Sequence, residues 1–307
     1  MLAVAGTGEL PTGPEWAYEF KWDGVRAIVE VRGGKLRLFA RSGAEITAAY
    51  PELAALAGQV TDAVLDGEIV VFDTAGRPSF TALAERMHVR EVHRAARLAA
   101  SIPVTLMIFD LIRLEETDLT GLPYADRRAA LEQLDLAGPH WLVPPSLSDG
   151  PATEAAAREN SLEGVVAKRV GSTYRPGTRS PDWVKCKVEQ TDDLVIGGWR
   201  PGARQLGALL VGLPVPGGGL RYCGRVGGGI SDAAQAELLA ALRPRHADDS
   251  PFTEPLPRED AKDANWVIPE LVVEVKYGNR TPDGRLRFPR FVRLRPDKSP
   301  EDCTDAG

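Results

Sequence analysis

The chain is poor in the residues on which metalloproteins and secreted scaffolds depend. Its 307 residues include three cysteines and four histidines. Cys186, Cys223 and Cys303 are odd in number and widely spaced, which excludes a disulfide framework and a zinc-binding pattern. His88, His93, His140 and His246 form no metal-ligand pair with a cysteine, and His88 and His93, in a charged segment, read as solvated surface. No apolar run reaches the roughly 20 residues that span a bilayer. The N-terminus, MLAVAGTGEL, lacks a basic region followed by a hydrophobic one. These absences lead to the expectation of a cytoplasmic protein without a membrane segment. There is no glycine-rich phosphate loop of the Walker or dinucleotide type, and no internal repeat.

What is present describes a soluble globular protein with room for two domains: 43% of residues are hydrophobic and 26% charged. A net charge of −6 argues against a general nucleic-acid coat, because counterion release rewards clustered cations. The cations are nevertheless grouped. Residues 168–187 hold Lys168, Arg169, Arg175, Arg179, Lys185 and Lys187 against Asp182 alone, and residues 276–298 hold eight cations against Asp283 and Asp297. Charge runs are usually solvated faces. Two such tracts in an acidic chain fit a polyphosphate or a DNA backbone better.

The segment EFKWDGVR at 19–26 sets Lys21 two residues ahead of Asp23-Gly24 and five ahead of Arg26. It reads as a covalent nucleophile; the competing reading is a strand-end salt bridge between Lys21 and Asp23 beside a turn glycine. An amine attacks phosphorus only through its lone pair, and an ordinary lysine is almost wholly protonated at pH 7. Lowering its pKa to near neutrality corresponds to roughly 4 kcal/mol, which neighbouring cations and burial can supply. Other lysines and a metal ion are therefore expected close by.

Short β-rich runs at 25–31, 35–39, 63–73 and 104–112, with a helical YADRRAALEQL at 124–134, make the first part mixed α+β. After WVKCKVEQTDD the texture changes near residue 190 to short strands with Gly/Pro turns and one helix, for which an OB-fold barrel is the economical choice. Asp66 and Glu68, two apart, share a strand face; they are candidates for a metal or ribose, or for a solvated face. Phe109 closes an apolar run and reads as core or as a base-stacking ring. In WVKCK, Lys185 and Lys187 share a face and repel unless an anion such as an α-phosphate sits between them.

The ordered series EFKWDGVR, ARSG at 40–43, LDGEIV at 65–70, FDLI at 109–112, EGVVAKR at 163–169, WVKCK at 183–187 and RFPRFVRLRPDK at 287–298 resembles the covalent nucleotidyltransferases. Among them it is most similar to ATP-dependent DNA ligases, in particular the ligase module of the bacterial end-joining ligase D and its free-standing relatives. The resemblance implies a nucleotidyltransferase (adenylation) domain of mixed antiparallel sheets and helices over 1–189, followed by an OB-fold barrel over 190–307. It implies ATP and Mg²⁺ or Mn²⁺ as cofactors, and nicked or broken double-stranded DNA as the partner.

By the same resemblance Lys21 would become lysyl-AMP, Glu19 would recognise adenine, and Phe109 would stack on the base. Arg26 and Arg41 would contact ribose or the DNA end. Glu68 would contact ribose or metal, Glu163 would hold metal, and Lys185 and Lys187 would grip the α-phosphate. In the OB domain Arg293, Arg295, Asp297 and Lys298 would orient the pyrophosphate leaving group. The chain is expected to be a monomer that holds DNA weakly and salt-sensitively. An end-binding or repair protein, or a latch from the Gly/Pro-rich segments near 201–219 and 251–265, is the expected helper. The alternatives are an RNA ligase, an mRNA-capping guanylyltransferase, and a binding module for nicked DNA without catalysis.

Overall fold

Alternation decides the sheet that carries Lys21. In the strand Trp16–Lys21, Trp16, Tyr18 and Phe20 take one face, and Ala17, Glu19 and Lys21 take the other. Val165 and Ala167 in the strand Gly164–Arg169, and Val184 in Arg179–Lys187, join the aromatic face. The strands lie in the order Leu2–Ala5, Arg179–Lys187, Gly164–Arg169, Trp16–Lys21. Their apolar face packs on the helix Gly150–Glu159, whose first turn is capped by the Asp149 side chain accepting from the Ala152 N–H. One face is thus fastened to a helix, and the other carries the charges.

The structure is a computed structural model that describes all residues except Thr7, Gly8, Arg204, Asn279, Pro282 and 305–307. The chain divides into two compact units, Met1–Val188 and Glu189–Gly307. The first also holds a seven-stranded sheet, ordered Lys35–Ala40, Val25–Arg32, Asp62–Val70, Thr105–Leu114, Trp141–Leu142, Ala137–Gly138, with Thr117–Asp118 paired to Thr105–Leu114. Val29, Leu38, Leu65, Ile69, Leu106 and Ile108 form its core with Leu53, Leu56 and Leu83 from helical segments. The helix Tyr124–Gln133 agrees with its sequence expectation to within a residue and is tied to the sheet by a buried bidentate pair, Arg127 with Asp110 at 2.8 and 2.9 Å.

The second unit is built from the strands Gln190–Gly202, Gln205–Pro214, Leu220–Val226, His246–Ala247, Asn265–Val267, Val272–Tyr277 and Arg290–Leu294 with the helix Asp232–Leu242. This is the content expected of an OB-fold domain. The segments near 201–219 and 251–265, expected to supply a latch, contribute in part to the core. Leu206, Leu209, Leu210, Val211 and Leu213 are buried in the core, and Phe252 packs edge-on against Tyr222 and Trp266 with ring centroids 5.2 and 6.2 Å away. Gly217, Gly218 and Gly219 serve the turn between the strands Gln205–Pro214 and Leu220–Val226, while Gly207, Gly212 and Pro214 lie within the strand Gln205–Pro214. Among the described residues no helix is long and apolar enough to cross a membrane.

Candidate active site

Strand register places the charged side chains in rows across the first sheet. Lys21 is opposite Gly164, which is opposite Lys187; Glu19, Val166 and Lys185 form the next row, and Ala17, Lys168 and Trp183 the third. Gly164 is required where it stands: its φ is +152° and a Cβ there would lie 2.0 Å from the Cys186 carbonyl oxygen. From the adjoining turn, Glu163 binds Lys21 through Oε2 and Lys187 through Oε1, the latter at 3.0 Å. Burial pushes the Glu163 carboxyl up, but Lys21 and Lys187 outweigh it and hold the group below the ordinary glutamate range.

The two strand lysines are therefore unequal. Lys187 is neutralised by Glu163, whereas Lys185 has no ion-pair partner among the described residues. Burial, together with the charges of Lys21 and Arg179, lowers the pKa of Lys185.

Glu19 lies deeper, with both oxygens engaged. Oε2 accepts from Lys168 Nζ at 2.7 Å; Oε1 accepts from the Tyr124 hydroxyl and has Arg128 Nη1 at 3.7 Å. Lys168 is 2% exposed, with its Nζ 4.3 Å from the Trp183 ring centroid, 4.6 Å from Phe109 and 5.0 Å from Tyr124. Burial lowers its pKa and Glu19 opposes that shift. Lys168, Tyr124 and Trp183 were missed as site residues; alternation in EGVVAKR was the available signal for Lys168.

The paired carboxylates of LDGEIV separate in role. Asp66 is wholly buried and accepts from Arg26 Nε at 2.8 Å and from the Tyr174 hydroxyl at 2.8 Å, with Arg26 Nη2 on its second oxygen. It is neither a solvated residue nor an open ligand. Glu68 has no hydrogen-bond or ion-pair partner among the described residues. Burial pushes its carboxyl up to about 8 in spite of Lys21 and Arg26. Gly24 lets the neighbouring strands close in, since a Cβ there would lie 2.3 Å from the Ile69 carbonyl oxygen.

These side chains surround one cavity of about 540 Å³. Glu19, Lys21, Arg26 and Glu68 line it, joined by Arg41, Phe109 and Lys185. Glu163 and Lys187 reach it through Lys21. Phe109 is half-buried, edge-on to Trp183 with centroids 6.2 Å apart, and both core-like and cavity-facing. The volume is in the range of small-molecule and cofactor sites.

Among the described residues no group of three or more His, Cys, Asp or Glu side chains is arranged to hold a metal. Mg²⁺ does not need one, since it is commonly held by one or two carboxylates with substrate phosphates and waters. Glu68, an unpartnered and partly desolvated carboxyl at the cavity wall, fits that requirement.

The tail residues belong to the second unit and are already partnered within it. Arg293 Nε is 2.7 Å from Glu274, Arg295 Nη1 is 2.9 Å from Asp193 and its Nη2 2.8 Å from Asp297, and Lys298 Nζ is 2.6 Å from Asp193. Hydrogen bonds from Arg295 lower the Asp297 carboxyl to about 2. Asp193 and Glu274 were not foreseen, because cross-strand partners lie far away in sequence.

Residues 9–187 match the ATP dependent DNA ligase domain family, and residues 202–298 match the ATP dependent DNA ligase C terminal region. The chain is 42% identical over 309 residues to the multifunctional non-homologous end joining protein LigD of Mycolicibacterium smegmatis, covering 98% of this chain and 39% of that protein. It is 33% identical over 322 residues to DNA ligase C2 of the same organism, covering 95% of this chain and 90% of that protein. Among solved structures it is similar to mycobacterial DNA ligase D complexed with ATP and MES, at 44% identity and a TM-score of 0.57, over 99% of this chain and 96% of that one. The chain spans about two fifths of the length of the LigD relatives it matches. The matches agree with the expected α+β architecture of an adenylation domain followed by an OB-fold domain.

Proposed function

The chain belongs to the ATP-dependent DNA ligase family, and from that premise we propose that it joins 5′-phosphate and 3′-hydroxyl ends of nicked or broken double-stranded DNA. The observation that carries this reading is Lys21 on the wall of a nucleotide-sized cavity with Lys185 and Glu68 beside it. Lys21 Nζ attacks the α-phosphorus of ATP; the N–P bond forms as the P–O bond to pyrophosphate breaks. The DNA 5′-phosphate then takes AMP from Lys21, and the 3′-hydroxyl displaces AMP to close the backbone. An unactivated phosphate thereby acquires a good leaving group.

Most of the work is positioning and charge neutralisation. Lys185 faces the α-phosphate, with Lys187 behind it on Glu163. For attack, Lys21 has to give up its proton and its contact with Glu163. Glu19, oriented by Lys168, faces the edge of adenine, and Phe109 offers its ring to the base. Arg26, held flat by Asp66, and Arg41 serve the ribose or the DNA end. Glu68 and Glu163 would hold a divalent cation, Mg²⁺ or Mn²⁺, which neutralises charge on phosphate oxygens. Arg293, Arg295, Asp297 and Lys298 serve the pyrophosphate leaving group.

We place this activity in the cytoplasm, in a monomer aided at DNA ends by an end-binding or repair protein. RNA joining and capping are the weaker readings, because both matched families are DNA ligase families. Incubation with α-labelled ATP is expected to transfer label to the wild type and none to Lys21→Ala, with nicked DNA sealed in preference to nicked RNA. An unlabelled wild type, or one that prefers GTP, overturns the proposal.

A further inference from the structure

The strand Gln190–Gly202 turns Asp192 and Asp193 to opposite faces. Asp192 accepts from Tyr277 at 2.6 Å and from Arg280. Asp193 turns toward the basic tail. It is opposite Glu274 in one ladder, and Glu274 is opposite Arg293 in the next. Three adjacent strands thus bring acid, acid and cation into a row, with Arg295 two residues farther along on the same side.

The contacts around Asp193 give the tail cations different roles. Asp193 Oδ1 accepts from Arg295 Nη1 at 2.9 Å, while Oδ2 accepts from Lys298 Nζ at 2.6 Å. Arg295 closes its other edge on Asp297, through Nε at 2.9 Å and Nη2 at 2.8 Å. A guanidinium held on both edges by carboxylates has little left to offer a phosphate. Lys298 has three donors, of which Asp193 takes one, and its side chain is 33% exposed against 15% for Arg295. Asp193, Glu274 and Asp297 balance the charges of Arg293, Arg295 and Lys298. A set of independent phosphate ligands would not be built with equal numbers of both signs.

Building on the ligase reading above, we infer that Asp193 is a positioning residue: it holds Arg295 as a clamped spacer and aims Lys298, which is the tail group that meets the departing pyrophosphate. Asp193 touches neither nucleotide nor DNA. Its effect is confined to the step in which pyrophosphate leaves, and it passes through Lys298.

The test measures two steps separately in the full chain: single-turnover formation of lysyl-AMP over a range of ATP concentrations, and sealing of pre-adenylated nicked DNA. Asp193→Asn is expected to slow lysyl-AMP formation about tenfold in rate constant, with the half-saturating ATP concentration and the sealing rate each moving less than about twofold. In a Lys298→Ala background the same substitution should have almost no further effect, since residues acting as one unit are not additive. Asp193→Glu, which keeps the charge, should recover part of the rate. Arg295→Lys, which loses the two-edged clamp, should reproduce the step-selective loss and decides the matter if Asp193→Asn melts early. An Asp193→Asn variant that adenylates at the wild-type rate, loses both steps equally, or adds its full loss to Lys298→Ala refutes the inference. If the wild type itself takes no label, the ligase reading fails instead.

Discussion

Lys168 and Glu19 form an ion pair at 2.7 Å with side chains 2% and 6% exposed. Removing one partner of a buried pair strands the other charge, which typically costs about 3–5 kcal/mol. Lys168→Met is therefore expected to lower unfolding stability by about that amount in urea titrations. Lys168→Met combined with Glu19→Gln should recover part of it, because the stranded carboxylate is gone. A single variant as stable as wild type would show that the pair contributes no stability.

Gly164→Ala places a methyl group 2.0 Å from the Cys186 carbonyl oxygen in the row joining Lys21 to Lys187. Two strands must separate to admit it, at a cost of about 1–3 kcal/mol. Stability and lysyl-AMP formation should fall together, read by thermal unfolding and label transfer. Retained labelling with wild-type melting would contradict the tight row.

Glu68 supplies a pH signature. Its carboxyl is raised from 4.5 to about 8 in the folded protein without metal, chiefly by burial. Between those values the unfolded chain releases the proton and the folded one keeps it. Stability from this group is complete below pH 4.5 and declines as pH rises toward about 8. Glu68→Gln should flatten that decline in chemical-denaturation curves collected in EDTA. Parallel pH profiles for the two proteins would remove Glu68 as its source.

The proposed role of the tail is confined to one reaction step. Lys298→Ala is expected to impair lysyl-AMP formation at least about tenfold while sealing of pre-adenylated nicks changes less than about threefold. Equal losses in the two assays would mean that Lys298 serves the chemistry of every step.

Alternation made the shared face of Lys185 and Lys187 readable in advance. Which lysine is neutralised was not readable. Glu163 lies in a turn, and its reach to Lys21 depends on register between strands about 140 residues apart. Asp66 and Glu68 were legible as a same-face pair, but only the neighbouring strand with Arg26 distinguishes the neutralised carboxylate from the open one. The glycines and prolines near 201–219 suggested an appendage, because their content resembles a loop; burial of Leu206 and Leu213 is set by the sheet around them.

Lys21 and Lys187 share one carboxylate, Glu163, so on the proposed reaction the attacking amine rests in an ion pair. An uncharged molecule has no charge with which to displace that carboxylate. A triphosphate carries negative charge of its own and is expected to compete with Glu163 for both ammonium groups. On the proposed reaction the nucleotide itself thus loosens the contact that restrains Lys21.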